Sequence, residues 1–474
     1  MKPLTLQEVR QVVAGTALTP FPSNLPLITA VCTDTRRMEK SSLFVALPGD
    51  RYDGHDFIPD AAAGGAIAAL VERPPADILP NVQLIQVSDT RRAMGKLARR
   101  ARADLIGKVI AVAGSNGKTS TKHLIDSVLS CRLRGSISPK SFNNDIGVPL
   151  SIFPADPTQD YLVLELGTNH PGEIAALTEM ATPDIAVITN VGAEHLEGLG
   201  DLRGVRQEEA SVVTGLVDDG MLVVNGDDRD LVEAVAHYAG RKVTFGFGEH
   251  NDLFAADVRC GENGVRFRLN KSRREYFVPL LGRHSACNAL AAIAVARKMG
   301  LRENEIIESL ADAHGPEMRL QLRKAEGVTV LNDAYNANPH SMRAALETVA
   351  ALPVPDNGRR VAVLGDMLEL GDATERYHRE VGEFAAGCGL DVLICVGASA
   401  AWIAEAAVAA GQHPATVRRY RDSATIAADI RHYVRENDLV LLKASRGVRL
   451  EAVAHALLNP QQTPAALRRR GIAS

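Results

Sequence analysis

Aromatic side chains are scarce, at 4% of the 474 residues, and Trp402 is the single tryptophan. With 39 glycines beside it, that scarcity argues against a β-sandwich and for an α/β protein with many tight turns. No pair of the six cysteines, Cys32, Cys131, Cys260, Cys287, Cys388 and Cys395, falls in a C-x-x-C arrangement. Structural zinc and a disulfide framework are therefore not expected, and buried free thiols are. A strong charge of either sign is also missing: the net charge of −4 gives no general electrostatic case for nucleic acid or an acidic membrane surface. Long apolar runs are lacking too. Ala401–Ala410 is alanine-rich, interrupted by Glu405, and shorter than a membrane-spanning helix. Met1 to Arg10 is polar, without the apolar segment of a secretory signal, so a cytoplasmic protein that is not membrane-embedded is the expectation. What remains is ordinary for a globular chain, 46% hydrophobic and 23% charged, at a length that suggests about three domains.

The chain is organised around Lys108 to Leu129. An apolar strand pattern, Val109 to Ala113, breaks into Gly114-Ser115-Asn116-Gly117-Lys118-Thr119, and a helical pattern follows with Ile125, Val128 and Leu129 on one face. Strand, glycine-rich turn and helix N-terminus gather backbone N–H groups and a positive dipole end around one point, which suits phosphate. Lys118 would reach the outer phosphates and the Thr119 hydroxyl would bind Mg²⁺. Val112 stands where a full Walker spacing has glycine, so the motif is the shorter G-x-x-G-K-T, and an ordinary βα turn is the competing reading.

Around that stretch the pattern predicts three domains. Residues 1–104 form a small mixed α/β unit. Its polar clusters, Thr33-Asp34-Thr35 and Asp53-Gly54-His55, flank the strand at Leu43–Val45 as a binding edge or as capped turns. A helix over Ala93–Ala103 carries Lys96, Arg99, Arg100 and Arg102 on what reads as a solvated basic face. Residues 105–316 alternate strand and helix, predicting a parallel sheet with an antiparallel hairpin appended over Asp257–Pro279. Residues 317–474 repeat the rhythm as a second, Rossmann-like doubly wound sheet without G-x-G-x-x-G. The tail from Gln461, with Arg468-Arg469-Arg470, reads as a frayed terminus. Lys118, Glu165, Asn190 and Asn225 each follow an apolar strand, where open parallel sheets bind ligands. One such residue is more often a helix cap; the set outlines a binding edge.

Several blocks resemble one family across nearly the whole chain. They are Phe44-Val45-Ala46-Leu47-Pro48-Gly49, Asp53-Gly54-His55, Asn143-Asn144-Asp145-Ile146-Gly147-Val148-Pro149, the run from Asp333 to Met342, and Leu364 to Gly371. The family is the Mur ligases of bacterial cell-wall synthesis, which join an amino acid or dipeptide to a UDP-muramoyl peptide. Asp333-Ala334-Tyr335-Asn336-Ala337-Asn338-Pro339 and Gly365-Asp366-Met367-Leu368-Glu369-Leu370-Gly371 resemble the member that adds D-alanyl-D-alanine to a UDP-N-acetylmuramoyl-tripeptide. The resemblance implies an ATP-dependent amide ligase working through an acyl phosphate, as a monomer. It implies ATP contacts from Gly114, Ser115, Asn116, Gly117, Lys118, Thr119 and Ser120, with Asn288, Arg319 and Asp333. Lys118, Glu165, His195 and Glu209 would be catalytic, and Thr119, Glu165, His195 and Glu209 would hold Mg²⁺. Substrate contacts would come from Thr33, Asp34, Thr35, Asp53, Gly54, His55, Asn143, Asn144, Tyr335, Asn336, Asn338, Lys443 and Arg446.

The chain departs mildly from the family at Thr35, Ser285, Asn332 and Ala444, where serine, asparagine, aspartate and glycine are usual. The larger departure is Glu209, at the place of a lysine that the family carbamoylates into a carboxylate-like Mg²⁺ ligand. Glu209, with Glu208 beside it, would supply that charge directly; the competing reading is a solvated helix face over Gln207-Glu208-Glu209. Other amide ligases of the superfamily, adding one amino acid or adding glutamate to a folate, and a nucleotide-binding scaffold without ligase activity, are the alternatives.

Overall fold

Apolar strand patterns separated by glycine-rich turns collect into three sheets in the computed structural model, which describes residues 1–459 except 23, 25, 76–80 and 271. The tail from Gln461 lies outside the described residues. The first sheet has five strands in the order Thr16–Ala17, Gln83–Gln86, Ala66–Val71, Ser42–Val45, Ala30–Cys32, antiparallel at the first pair and parallel elsewhere. The helix Thr90–Arg102 leaves it, started by the Asp89 carboxylate, which accepts the Arg92 N–H at 2.9 Å. Its apolar stripe, Ala93, Met94, Leu97, Ala98 and Ala101, is buried.

Arg102 corrects the expectation of a wholly solvated basic face. It is buried, donates through Nη2 to Asp184 Oδ2 at 2.7 Å, and donates through Nε to the Ala181 carbonyl at 3.0 Å. Lys96 and Arg99 do stand exposed.

The central sheet has nine strands. Lys108–Ala113 lies between Ile185–Ile188 and Tyr161–Glu165, all parallel, so the phosphate-loop turn leaves the middle of the sheet at its carboxyl edge. The expected hairpin is a three-stranded meander: Leu253–Gly261, Gly264–Leu269 and Glu275–Val278 pair antiparallel, and the first also pairs in parallel with Arg241–Gly246. Its first residues, Leu253-Phe254-Ala255-Ala256, are apolar throughout and lack the alternation that marks the rest. The helix His284–Lys298 is alanine-rich because it packs closely on the loop helix Lys118–Leu129.

The third sheet has six strands, ordered Gln321–Ala325, Val328–Asn332, Leu439–Lys443, Arg360–Gly365, Val392–Val396, Val417–Tyr420, antiparallel at the first pair and parallel after it. Its two outer strands carry the polar sequences QLRKA and VRRY. Among the described residues no helix is long and apolar enough to cross a membrane. All six cysteines are free; Cys287, Cys388 and Cys395 are buried as expected, but Cys131 and Cys260 are exposed, past a helix end and at a strand end.

Candidate active site

The loop can take its path only with glycine at two places. Gly114 has φ +116°, and a Cβ there would stand 2.2 Å from Thr189 Oγ1; Gly117 has φ +82°, and its Cβ would stand 2.7 Å from Asn288 Oδ1. Neighbouring strand ends hold the loop. Asn190 accepts the Ser115 N–H on its carbonyl at 2.8 Å and the Asn116 N–H on Oδ1 at 3.1 Å. Asn225 donates Nδ2 to the Thr189 carbonyl at 2.9 Å, and the Thr189 hydroxyl donates to the Asn116 carbonyl at 2.6 Å. Both asparagines sit at the binding edge, as scaffolding for the loop.

Lys118 folds back over this loop, donating Nζ to the Gly114 carbonyl at 2.5 Å and the Ser115 carbonyl at 3.3 Å, with Glu194 Oε1 at 3.6 Å. Burial works against its ammonium, but Glu194, Glu209 and Glu165 outweigh that and raise its pKa.

Besides Glu194, two acidic residues lie around the loop, each held differently. Glu165 ends its strand fully buried; Oε1 accepts Asn143 Nδ2 at 3.1 Å, while Oε2 pairs only with the buried Lys122 Nζ, at 3.2 Å. Glu209 is also fully buried. Its Oε2 accepts the Gly114 N–H at 2.6 Å from beneath the loop, and its Oε1 has no partner. Burial pushes its carboxyl up to about 8, against the pull of Lys118. Of Gln207-Glu208-Glu209 only Gln207 is exposed, so the two glutamates do not belong to a solvated face. Glu208 is buried too, and it accepts the N–H groups of Gly172 at 2.6 Å and Ile174 at 2.7 Å. It thus satisfies the start of the helix Glu173–Ala181 instead of sharing Glu209's place at the loop.

The loop is a wall between two compartments. The first, about 360 Å³, is reached by Ser120, Asn288, Arg319, Asp333 and Lys443. Asp333 takes the Leu320 N–H at 3.1 Å on one oxygen and Lys443 Nζ at 2.5 Å on the other. His284, also here, is pushed down to about 4 by burial and is neutral. The second compartment, about 560 Å³, brings together Asn143, Asn144, Glu165, His195, Tyr335, Asn336, Asn338 and Arg446, with Arg91 reaching in from the first sheet's helix. Asn116, Gly117, Thr119 and Arg319 border both. Lys443, expected with the substrate, borders the first compartment; its Nζ also meets the Asn336 carbonyl at 3.1 Å.

Contacts between the second and third sheets cross this cleft. Asn338 Nδ2 donates to Asn116 Oδ1 at 2.9 Å and to Glu194 Oε2 at 3.3 Å. His195, at φ +51°, turns its Nδ1 to the Glu369 carboxylate. The Arg319 guanidinium lies 4.2 Å from the Tyr335 ring centre and 3.5 Å from the Thr119 hydroxyl; Arg446 approaches the same ring at 5.8 Å. Asn144 spends its Oδ1 on the Gly147 N–H at 2.8 Å.

The first-domain candidates, Thr33, Asp34, Thr35, Asp53, Gly54 and His55, border neither compartment. Asp34 is held well below the usual carboxylate range by Arg36. Asp53 is held low by the His55 N–H and by Arg73. His55 is buried with both ring nitrogens used: Nδ1 meets Asp53 at 2.6 Å and Nε2 accepts the Glu72 N–H at 2.8 Å. Its ring makes the turn, so a ligand there would meet Asp53 and the backbone.

Among the described residues no three His, Cys, Asp or Glu side chains form a ready metal cage. Thr119, Glu165, His195 and Glu209 are thus spread around the loop. That still suits Mg²⁺, which keeps waters and takes few protein oxygens beside phosphate. The free oxygens of Glu165 and Glu209 are the fitting donors.

Two residues at the site escape a reading of motifs. Lys122 lies three before Ile125 and seven before Leu129, on the apolar face of the loop helix, and a lysine on such a face needs a partner. Glu194 has no periodicity to mark it.

Three family models match in order along the chain: "Mur ligase family, catalytic domain" over 27–102, "Mur ligase middle domain" over 112–296, and "Mur ligase, glutamate ligase domain" over 318–446. The chain is 36% identical to the UDP-N-acetylmuramoyl-tripeptide–D-alanyl-D-alanine ligase of Bacillus subtilis, covering 96% of this chain and 98% of the relative. It is 38% identical to the Escherichia coli ligase of the same name, over 91% and 94%. Among solved structures, MurF from Acinetobacter baumannii superposes with a TM-score of 0.86 at 30% identity, covering 96% of this chain and 99% of that one. MurF ligase from Thermotoga maritima in complex with ADP gives 0.79 at 29% identity, over 90% and 96%.

Proposed function

The chain belongs to the Mur ligase family, and we propose that its two-compartment cleft joins D-alanyl-D-alanine to a UDP-N-acetylmuramoyl-tripeptide with ATP. The product is the UDP-muramoyl-pentapeptide precursor of peptidoglycan, released with ADP and phosphate. The observation that carries this reading is the shared wall: the phosphate loop borders both compartments, so one phosphoryl group there meets a nucleotide from one side and a carboxylate from the other.

An amide forms in water only if the carboxylate is first activated. Its oxygen attacks the γ-phosphorus of ATP and ADP leaves; the dipeptide amine then attacks the acyl carbon and phosphate leaves. Such transfer depends on positioning and charge neutralisation more than on covalent help from protein groups. Lys118 is proposed to leave its loop carbonyls for the outer phosphates, with Arg319 beside it. Gly114 to Ser120 would cradle the phosphates, and Asn288, Asp333 and Lys443 would border the nucleotide. Asn143, Asn144, Tyr335, Asn336, Asn338 and Arg446 would face the peptide substrates, with the UDP end carried by the first domain. Thr119 and Glu165 would hold Mg²⁺, with His195 and Glu165 near a second ion; when bound, Mg²⁺ would neutralise phosphate charge. Glu209 would serve from beneath the loop, without CO₂, as a carboxylate ligand on giving up the proton that burial favours there.

The segments 1–104, 105–316 and 317–474 are proposed as the three domains. A monomer is proposed, and dependence on ATP supports the cytoplasm as its place of work.

Phosphate release from ATP should require both UDP-muramoyl-tripeptide and D-alanyl-D-alanine, with the pentapeptide product visible by mass spectrometry. Release indifferent to the dipeptide, or a product extended by a single amino acid, overturns the reading.

A further inference from the structure

Lys122 is a lysine with no exposed surface, one helical turn beyond Lys118 in the loop helix. Its ammonium donates to the Ser138 carbonyl at 2.9 Å, to Ser138 Oγ at 3.2 Å and to the Lys140 carbonyl at 2.5 Å. Its remaining neighbour is Glu165 Oε2 at 3.2 Å. A lysine buried this completely loses its hydration, and a norleucine-like side chain would fill the same space without that loss. The burial therefore points to a use for the charge.

Everything the ammonium touches bears on one carboxylate. Ser138 Oγ also accepts the Glu165 N–H at 3.3 Å. The segment Ser138–Lys140 leads into Asn143, whose Nδ2 holds Glu165 Oε1 at 3.1 Å and whose carbonyl accepts the Gly167 N–H at 2.8 Å. One Glu165 oxygen is thereby tied by an amide, while the other faces the Lys122 ammonium at 3.2 Å and has no other partner, which leaves it a lone pair to offer. Glu165 itself borders the second compartment, and Lys122 borders neither.

We infer that Lys122 is a positioning residue that fixes the Glu165 carboxylate, through its charge and through the Ser138–Lys140 segment, in the orientation that presents Oε2 to a divalent cation at the phosphate loop. This rests on the proposed reading of Glu165 as a metal ligand. Partners behind a metal ligand commonly govern affinity about 10- to 100-fold.

The test is Mn²⁺ binding, followed by electron paramagnetic resonance, to the full-length protein with β,γ-methylene-ATP, so that no turnover is needed. Lys122→Met is expected to weaken Mn²⁺ binding by about tenfold or more. Lys122→Gln keeps donors for the two carbonyls and so guards against simple misfolding; it is expected to weaken binding in the same direction, with an unchanged circular dichroism spectrum. In a Glu165→Gln background, Lys122→Gln should have no further effect. Wild-type Mn²⁺ affinity in folded Lys122→Gln, or an equal additional loss in the Glu165→Gln background, overturns the inference. If Glu165→Gln alone leaves Mn²⁺ affinity unchanged, the metal reading of Glu165 fails first, and that result is separable from the other two.

Discussion

Asn338 donates its side-chain amide to Asn116 Oδ1 at 2.9 Å, joining the third sheet to the phosphate loop across 222 residues of sequence. The same amide reaches Glu194 Oε2 at 3.3 Å, while its oxygen caps the helix Pro339–Ala351 through the Ser341 N–H at 2.9 Å. One side chain thus starts a helix with one end and closes the cleft with the other.

The two ends can be separated. Asn338→Asp keeps a capping oxygen but loses the donor and sets a second carboxylate against Glu194. The expected outcome is at least about a tenfold loss in kcat/KM for the dipeptide, the worth of roughly one hydrogen bond to a charged group. The melting temperature should stay near that of the parent.

Lys118 is the cation nearest the proposed phosphoryl position. Lys118→Met should lower kcat by about 10²- to 10³-fold, as removal of one well-placed charge-stabilising donor does elsewhere. Arginine should not restore it, because a planar fork does not fit a space shaped for an ammonium. Steady-state phosphate release at saturating substrates measures both.

Glu209 makes stability depend on pH in a defined direction. Burial raises its carboxyl from 4.5 to about 8, so the folded state binds a proton that the unfolded state has lost between those values. Its contribution is full below the unfolded pKa and is lost as pH rises through about 8. Glu209→Gln removes the titration. Without ligands, the melting temperature of the variant should gain on the parent's between about pH 5 and pH 8.5. A constant difference across that range would contradict the buried environment.

Arg102 anchors the first domain's helix to the central sheet. Its partner Asp184 also accepts the Val109 N–H at 2.9 Å and Lys108 Nζ at 2.8 Å, so removing the guanidinium leaves a largely buried carboxylate short of a partner. Arg102→Met should cost about 3 kcal/mol of unfolding free energy in urea titration. The KM for ATP should not change.

Local patterns made much of this legible. The strand, glycine turn and helix at Lys108–Leu129, and the polar ends of the strands beside it, follow from periodicity and backbone chemistry, and the structure brings Lys118, Thr119, Glu165 and His195 to one cleft. Edge strands were harder to see. Gln321–Ala325 and Val417–Tyr420 pair on one side only and carry solvated side chains, so they lack the apolar signature of buried strands. Arg102 and Glu208 show the opposite limit. Each reads as a surface charge because sequence does not reveal a partner dozens of residues away, such as Asp184 or the Ile174 N–H. The residues alone leave Asp53-Gly54-His55 open between a binding edge and a capped turn, and the structure shows the His55 ring engaged by Asp53 and the Glu72 N–H.

The central claim is that the peptide carboxylate is phosphorylated before the amide forms. It is tested most directly with UDP-muramoyl-tripeptide carrying ¹⁸O in its terminal carboxylate, turned over with ATP and D-alanyl-D-alanine. The account predicts that one ¹⁸O atom of that carboxylate appears in the inorganic phosphate for each pentapeptide formed. Phosphate free of ¹⁸O, with pentapeptide accumulating, would contradict it.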